Sequence, residues 1–559
     1  MRQNSAKDNG DLIRSTVFAY EDGTNRLISK KDVFAAMPVS TGYVYGNTAN
    51  GKMADSIYGV TLNGYNQISY TYDSLGRKSS RTLKASSSRN VVTEYSYLQG
   101  TDSGKTTALL DTVTQEGVVT QYTYDATGSI TQISEDGVVK RSYTYDAMNQ
   151  LTSETRNGVT ETYTYDNGGN ILSRTRSGVT DTWSYESTLW KDLLTSYNGQ
   201  AITYDEIGNP LSYRDGMTMT WEHGRQLSTL TKDGGSISYT YNADGIRTSK
   251  TVNGQTTEYI LDGSTILGEK LPDGEYLYYL YDENGVRYGF ARGSLLYYYV
   301  CNAQGDVVKI LTSSGAIAAW YEYDAWGNVV SIGGNAYVAN LNPIRYRGYY
   351  YDAETGFYYL NSRYYDPEIC RFINADDSDI LWEDQGHLNE HNLYAYCLNS
   401  PICNKDDSGS IAEDIMLGAG LAVGTFGLLI GIIDVINALS MHSGSYSLSM
   451  LGPQDILWTP SQSQQMRHYE FETRVVGKDV KLYGPAPKVL KQPDVMDSVN
   501  VKDAYDILIF YKSHSKNARP STEEKHQKGD TRRGMDSGKE KGDKRRINYR
   551  KAKTKMFQR

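Results

Sequence analysis

The sequence predicts a mainly β protein built from stacked hairpins, and three observations carry that prediction. First, a Tyr-Thr-Tyr-Asp phrase returns at Tyr70–Asp73, Tyr122–Asp125, Tyr143–Asp146 and Tyr163–Asp166, with Tyr204-Asp205, Tyr281-Asp282 and Tyr323-Asp324 as shorter forms. With the second aromatic as phase mark, Tyr124, Tyr145, Tyr165, Tyr185, Tyr204, Trp221, Tyr241, Leu261, Tyr281, Cys301 and Tyr323 follow at intervals of 21, 20, 20, 19, 17, 20, 20, 20, 20 and 22 residues. A fixed period near twenty residues marks a repeat architecture. Second, turn residues recur in phase with the aromatics. Third, there are 49 Tyr against 9 Phe, which suits an amphipathic sheet face whose hydroxyls reach a neighbour or water.

Each element of one period is legible. Tyr122-Thr123-Tyr124 alternates β-favouring residues, Asp125 to Gly128 reads as a turn, and Ser129-Ile130-Thr131 resumes the alternation, so each period is one β-hairpin. Asp suits that turn because its carboxylate accepts backbone N–H groups, and glycine at 128, 208, 245, 285, 305 and 327 supplies a positive φ. The opposite turns read Asn157-Gly158, Asn198-Gly199, Asp233-Gly234 and Asn253-Gly254, the type I′ signal. A lone hairpin is marginal in water, so the units are expected to stack edge to edge into one sheet whose inner face lines a space.

Composition bounds the rest. The 559 residues exceed one ordinary domain. Cys301, Cys370, Cys397 and Cys403 have neither metal-ligand nor disulfide-framework spacing, so no metal site and no cofactor is expected from them. Met1 to Asp8 carries no apolar stretch, so no signal peptide is encoded there. The opening residues look like degenerate repeat, and the expectation is a fragment of a longer parent. The net charge of −9 is split: residues 512–559 hold 17 Lys+Arg against 6 Asp+Glu, a local +11 that leaves −20 on the remainder. An acidic scaffold with a basic tail implies two tasks.

From Trp320 the register changes to a dense block. It contains Trp320-Tyr321-Glu322-Tyr323-Asp324-Ala325-Trp326-Gly327-Asn328 and Asn342-Pro343-Ile344-Arg345-Tyr346-Arg347-Gly348-Tyr349-Tyr350-Tyr351-Asp352. Further on come Asn361-Ser362-Arg363-Tyr364-Tyr365-Asp366-Pro367, Arg371-Phe372-Ile373-Asn374-Ala375-Asp376-Asp377 and Asn392-Leu393-Tyr394-Ala395-Tyr396. This resembles the Rhs/YD-repeat family and its repeat-associated core, in the form found in Gram-positive bacteria, over roughly residues 60–409. The resemblance implies a spiral, shell-like sheet of hairpins, a core that plugs one end, and a variable C-terminal toxin held inside. It also implies a secreted or cell-surface parent used in contact-dependent competition, with a cognate immunity protein as partner. Residues 1–400 hold fewer hairpins than a complete shell of that family, so an open arc with exposed strand edges is expected. The expected organisation is repeats over 1–319, core over 320–409, a hydrophobic pre-toxin segment over 410–450, and a toxin-like region over 451–559 with a small α or α+β fold.

The resemblance also implies self-cleavage after the core by paired aspartates, and the matching positions are Asp376 or Asp377 and Asp406. Two carboxyls forced together do not both ionise, so one acts as acid while the other activates water. The chain departs from the family pattern: Asp-Pro-x-Gly becomes Asp376-Asp377-Ser378-Asp379 and Asp406-Asp407-Ser408-Gly409, with no Leu after Gly409. The expected scissile region is Ser408-Gly409-Ser410-Ile411; the alternative is an Asp-rich capping loop.

Beyond Gly409, Ile415 to Ile433 is free of charge and carries Gly420-x-x-x-Gly424 and Gly427-x-x-x-Gly431. Nineteen residues just suffice to cross a bilayer core of about 30 Å as a helix. A transient membrane contact during translocation is the preferred reading, against a stable anchor or a helical hairpin inside the shell. In the basic tail, Arg519, Lys528, Arg532, Arg533, Lys544, Arg545 and Arg546 are spaced cations suited to phosphates, which points to nucleic acid in a target cell. His514 and His526 with Lys525 are the minimum set for metal-free RNA cleavage, one imidazole as base and one as acid; a solvated tail is the alternative. The sequence therefore predicts a toxin-delivering shell with an RNase or DNase. The rival reading is a non-enzymatic adhesion protein that binds cell-surface carbohydrate.

Overall fold

The computed structural model describes residues 2–8, 11–34, 37–100, 106–376 and 392–409, with the short stretches 413–414, 445–448, 471–476, 479–483 and 498–500. The chain divides into two units, Met1–Gly427 with Leu451–His468 and Leu428–Met450 with Tyr469–Arg559. Within each sheet of the first unit, each strand pairs antiparallel with the next in sequence. An 18-stranded sheet runs from Arg2–Asp8 to Gln200–Ala201, and a 14-stranded sheet runs from Thr203–Tyr204 to Val329–Gly334. The break falls where the repeat interval drops to 19 and 17 residues and the strands shrink to pairs such as Ser196–Tyr197.

The recurring phrase explains the ladder. Asp125 Oδ1 accepts the backbone N–H groups of Thr127 and Ser129, each at 2.9 Å. Asp146, Asp166, Asp205, Asp282 and Asp324 take the same two bonds, and Asn242 and Asn302 substitute with their amide oxygens. The tyrosine before most of these turns binds backwards. Tyr124 Oη donates to Leu110 O at 2.8 Å, Tyr145 to Ile130 O at 2.7 Å, Tyr165 to Leu151 O at 2.6 Å and Tyr323 to Val307 O at 2.8 Å. Trp221 does the same through Nε1 to Pro210 O at 2.7 Å. A phenylalanine cannot make this bond, which accounts for tyrosine over phenylalanine at this slot. The I′ turns are as read, with φ +51° and +77° at Asn157-Gly158 and +50° and +81° at Asn253-Gly254.

The strip returns alongside itself. Lys30 Nζ meets Asp262 Oδ2 at 2.9 Å, Lys78 Nζ meets Glu283 Oε1 at 2.8 Å, and Lys309 Nζ meets Glu116 Oε2 at 2.8 Å. Tyr70 Oη donates to Glu283 Oε2 at 2.7 Å, and Arg141 donates to Tyr323 O at 2.9 Å. The partners stand 232 residues apart at Lys30–Asp262 and 182 at Arg141–Tyr323, in the same order along both sheets. Such ordered pairing is the signature of a spiral, so the two ladders run side by side where an open arc was expected.

The inner aromatic face is covered by residues 343–376 and 392–409. These form a short sheet of Tyr350–Asp352, Phe357–Tyr359, Tyr364–Asp366 and Arg371–Phe372. Tyr213 packs on Phe357 with ring centres 6.0 Å apart, Tyr239 on Tyr364 at 5.7 Å and Tyr259 on Tyr350 at 5.5 Å. Buried ion pairs join strip to core: Arg214 to Asp366 at 2.7 and 3.0 Å, and Arg247 to Asp352 at 2.6 and 3.2 Å.

At the seam near Arg141, Glu154 is buried; its Oε2 accepts Ala325 N–H at 2.9 Å and Oε1 lies 3.5 Å from Arg141. Burial pushes its carboxyl up to about 7, with Arg141 opposing and Asp324 adding to the rise. A carboxyl raised on folding keeps its proton longer in the folded state, so stability falls as pH climbs from about 4.5 to about 7. Glu154→Gln retains an acceptor for Ala325 and removes the charge. The variant is expected to be more stable than the parent at pH 8, by on the order of 2 kcal/mol, and to lose that slope in denaturant titrations across pH. An unchanged slope rejects the assignment.

In the second unit the described residues form one antiparallel sheet, Ser445–Leu448, Phe471–Val476, Asp479–Tyr483 and Ser498–Asn500 in that order. Residues 415–433 and 501–559 lie outside the described residues, and with them the helical part of the C-terminal expectation. No helix among the described residues is long and apolar enough to cross a membrane.

Candidate functional site

The core ends on a junction assembled by one arginine. Arg363 follows the strand Phe357–Tyr359 and opens Tyr364–Asp366, so the short core sheet fixes its backbone. Its side chain is 5% exposed, with the guanidinium 3.5 Å from the centre of the Phe372 ring. Burial pushes Arg363 down from its ordinary value, while Asp376 and Asp406 oppose that shift.

Two of the three expected aspartates converge there. Arg363 NH2 lies 2.8 Å from Asp376 Oδ2 and 3.6 Å from Asp406 Oδ2. Asp376 is 9% and Asp406 1% exposed. Arg225, from the strip, donates to the carbonyls of Ala375 and Asp376, which pins that segment to the wall. Asp406 Oδ1 accepts Gly409 N–H at 2.7 Å and Ser408 N–H at 3.2 Å, while its own N–H donates to Tyr349 Oη at 2.9 Å. Since the guanidinium touches both carboxyls, it offsets the like-charge repulsion on which the simple pair argument rests. Asp377 lies outside the described residues.

The chain leaving the core is held on the same arginine. Arg363 Nε and NH1 donate to Gly409 O and to Leu393 O, the latter at 2.9 Å. Ser362 Oγ lies 2.7 Å from Gly409 O and 2.9 Å from Ser408 O, and Ser362 N–H donates to Ser408 O at 3.2 Å. Gly409 has φ +78°, and a Cβ there would stand 2.6 Å from Leu360 O. Only glycine fits. Two buried carboxyls, a guanidinium and a carbonyl with two donors are the parts of a peptide hydrolase.

Arg363 and Ser362 were not singled out from the sequence, although both stand in the dense Asn361–Pro367 motif. A buried arginine inside an aromatic run was the available signal. His514, Lys525, His526, Arg519, Lys528, Arg532, Arg533, Lys544, Arg545 and Arg546 all lie outside the described residues. No group of three or more metal-ligating side chains occurs among the described residues. A polar cavity of about 480 Å3, lined by Tyr197, Arg214, Lys232, Asn328, Tyr351 and Glu368 among others, opens where the strip meets the core.

Comparison with known proteins gives four findings. The family model described as Teneurin YD-shell matches residues 62–402. The tRNA3(Ser)-specific nuclease WapA of Bacillus spizizenii is 39% identical over 223 residues, which are 39% of this chain and 9% of that protein. Toxin protein Tse5 of Pseudomonas aeruginosa is 38% identical over 85 residues, 15% of this chain and 6% of that protein. The chain thus spans under a tenth of the length of either relative. Among solved structures, the crystal structure of TcdB2-TccC3-Cdc42 superposes with a TM-score of 0.55 at 21% identity, covering 72% of this chain and 22% of that one.

Proposed function

The chain belongs to the teneurin YD-shell family, and on that premise we propose that residues 1–409 are the shell and core of a toxin-delivery protein. Residues 410–450 are then a pre-toxin segment and 451–559 the effector, directed at RNA or DNA. The observation that carries this reading is the junction: the chain leaves the core at Gly409 through a fixed grip beside two buried carboxyls. A plain structural repeat has no use for that arrangement, whereas a carrier that must part from its cargo does. The likeness to a tRNA nuclease and to a toxin supports the same direction. Asp376 and Asp406 are the acid–base pair for release, with water as the nucleophile. The parent is secreted or cell-surface, and an immunity protein is the expected partner in the producing cell.

Residues 410–559 produced in Escherichia coli should arrest growth and degrade nucleic acid visible on a gel, and co-production of the immunity protein should restore growth. Normal growth with intact RNA and DNA removes the reading. The tail's binding should be electrostatic and fall steeply with salt, with little sequence preference. Neutralising Lys544, Arg545 and Arg546 should weaken all sequences about equally. His526→Ala should spare binding and abolish cleavage; full toxicity in that variant rejects the histidine mechanism.

A further inference from the structure

We propose that Asn157 is a spontaneous modification site: its side-chain amide is lost to the Gly158 nitrogen through a cyclic imide and is replaced by a carboxylate on the seam between the two ladders. Asparagine is among the thermolabile residues, and a following glycine has no side chain to shield the attacking nitrogen. The fold decides which Asn-Gly pair reacts.

Two protections recur at the other Asn-Gly pairs among the described residues. In the first, the glycine nitrogen is engaged: Gly51 N–H donates to Thr48 O at 3.0 Å, Gly168 N–H to Asp166 Oδ1 at 2.8 Å and Gly285 N–H to Asp282 O at 3.2 Å. In the second, the asparagine is stitched to the neighbouring strand. Asn63 Oδ1 accepts Ser40 N–H at 2.8 Å, Asn198 Oδ1 accepts Thr182 N–H at 2.8 Å and Asn253 Oδ1 accepts Ser236 N–H at 2.9 Å. The N–H of each of these asparagines donates back to the carbonyl of the same residue, at 2.7, 2.9 and 2.8 Å. The paired bonds fix the carboxamide, which must turn toward the glycine nitrogen for the ring to close.

Among the described residues, Asn157 has neither protection. Arg141 pairs with Arg156, so the stitching residue would be Lys140. Ser40, Thr182 and Ser236 stand in unbroken register with the strand behind them. Lys140 does not: Ile133 pairs with Arg141 and Ser134 with Val139, so Lys140 is the extra residue of a β-bulge. A bulge disrupts the ladder at the extra residue, and here the stitch is lost with it. Asn157 and Gly158 are both exposed, and a Cβ on Gly158 would have nothing within 4 Å, so the turn is open to attack. The remaining hold on the side chain is Nδ2, which donates to Glu322 Oε1 on the adjacent ladder at 3.2 Å.

The atoms balance as follows. The Gly158 nitrogen gives its proton to hydroxide and its lone pair adds to Asn157 Cγ. The Cγ–Nδ2 bond breaks, and Nδ2 leaves as ammonia with a proton from water. Water then opens the imide, giving aspartate where the new Cγ–N bond breaks and isoaspartate where the bond from the Asn157 main-chain carbonyl carbon breaks. Nothing is oxidised or reduced. Either product sets a carboxylate where a donor faced Glu322, which keeps Arg156 NH1 at 3.5 Å. The seam loses a hydrogen bond and gains a like-charge contact.

The test ages the purified full chain in mildly alkaline buffer and maps its peptides by mass spectrometry, with an isoaspartyl methyltransferase to mark isoaspartate. Asn157 should convert several-fold faster than Asn50, Asn63, Asn167, Asn198, Asn253 and Asn284. In concentrated urea the rates should converge, because every pair shares the following glycine. Conversion of Asn157 no faster than that of Asn63, Asn198 and Asn253 in the folded chain, or an undiminished lead for Asn157 in urea, overturns the assignment. The effect on the seam is read separately: Asn157→Asp should lower the denaturation midpoint, and adding Glu322→Gln should restore it. A midpoint unmoved by Asn157→Asp overturns the part assigned to the seam.

Discussion

Asp352→Asn is expected to destabilise the first unit by about 3–5 kcal/mol. Asp352 is fully buried and answers two cations: Arg247 NH1 at 2.6 Å and Lys250 Nζ at 2.8 Å. Arg247 is also fully buried, and its guanidinium sits among the rings of Tyr239, Tyr259, Tyr350, Tyr359 and Tyr364 at 4.2 to 5.7 Å. It cannot shed its proton. Removing the carboxylate leaves two buried cations with Glu354, 2.7 Å from Lys250, and the more distant Glu269. Burial pushes the Asp352 carboxyl up, but Arg247 and Lys250 outweigh it and hold the group below its ordinary value. A depressed carboxyl contributes stability above the ordinary carboxylate range and loses it as pH falls below about 4. Asp352→Asn should lack that acid-side component. The combined Arg247→Met, Lys250→Met, Asp352→Leu variant should recover much of the loss, because buried ion pairs are costly to break and weak as net stabilisers. Denaturant melts of the three proteins decide it: Asp352→Asn within 1 kcal/mol of the parent removes the argument.

What the sequence made legible follows the range of the interactions involved. The turns are local: Asp125 binds N–H groups two and four residues on, and Asn157-Gly158 closes on itself. Their residues sit side by side in the chain, so their chemistry can be read there. The backward bond of Tyr145 to Ile130 spans 15 residues, and its effect on composition was visible although its geometry was not. The same rule predicts where the repeat weakens, because Leu261 and Cys301 occupy the aromatic slot with no hydroxyl or indole to offer. The approach of Lys30 to Asp262 depends on how far each hairpin twists against the last, a sum over many small angles that no single residue encodes. The covering of the inner face has the same origin. Arg214 opens a 3-10 turn and Arg247 opens a repeat strand, and only their partners Asp366 and Asp352 show what they are for. At the junction, family likeness supplied Asp376 and Asp406, but the arginine between them and the serine on the carbonyl became visible through contacts such as Arg363–Asp406 and Ser362–Gly409.

Asp406→Asn is expected to abolish release of the C-terminal fragment of about 150 residues, which runs from 410 to 559, while leaving the core folded. Asp406 makes two kinds of contact. Through Oδ1 it accepts the N–H groups of Gly409 at 2.7 Å and Ser408 at 3.2 Å, and an asparagine amide oxygen can accept both. Through Oδ2 it faces Arg363 at 3.6 Å beside Asp376, and there asparagine supplies neither charge nor an exchangeable acid proton. The substitution therefore separates the structural task from the chemical one. General acid–base catalysis by one positioned group is worth roughly 100- to 10,000-fold, so loss of either aspartate should reduce cleavage below detection over hours. Asp376→Asn should behave alike, whereas Asp407→Asn, whose side chain is 55% exposed and pairs with Lys405 at 2.5 Å, should cleave at the parental rate. The readout is a time course on a denaturing gel from mildly acidic to neutral pH, with melting curves to show that each variant is folded. A parent that stays intact throughout that range removes the paired-aspartate mechanism. A folded Asp406→Asn protein that still releases the fragment does so too, and would return Asp406 to the simpler role of capping the last turn of the core.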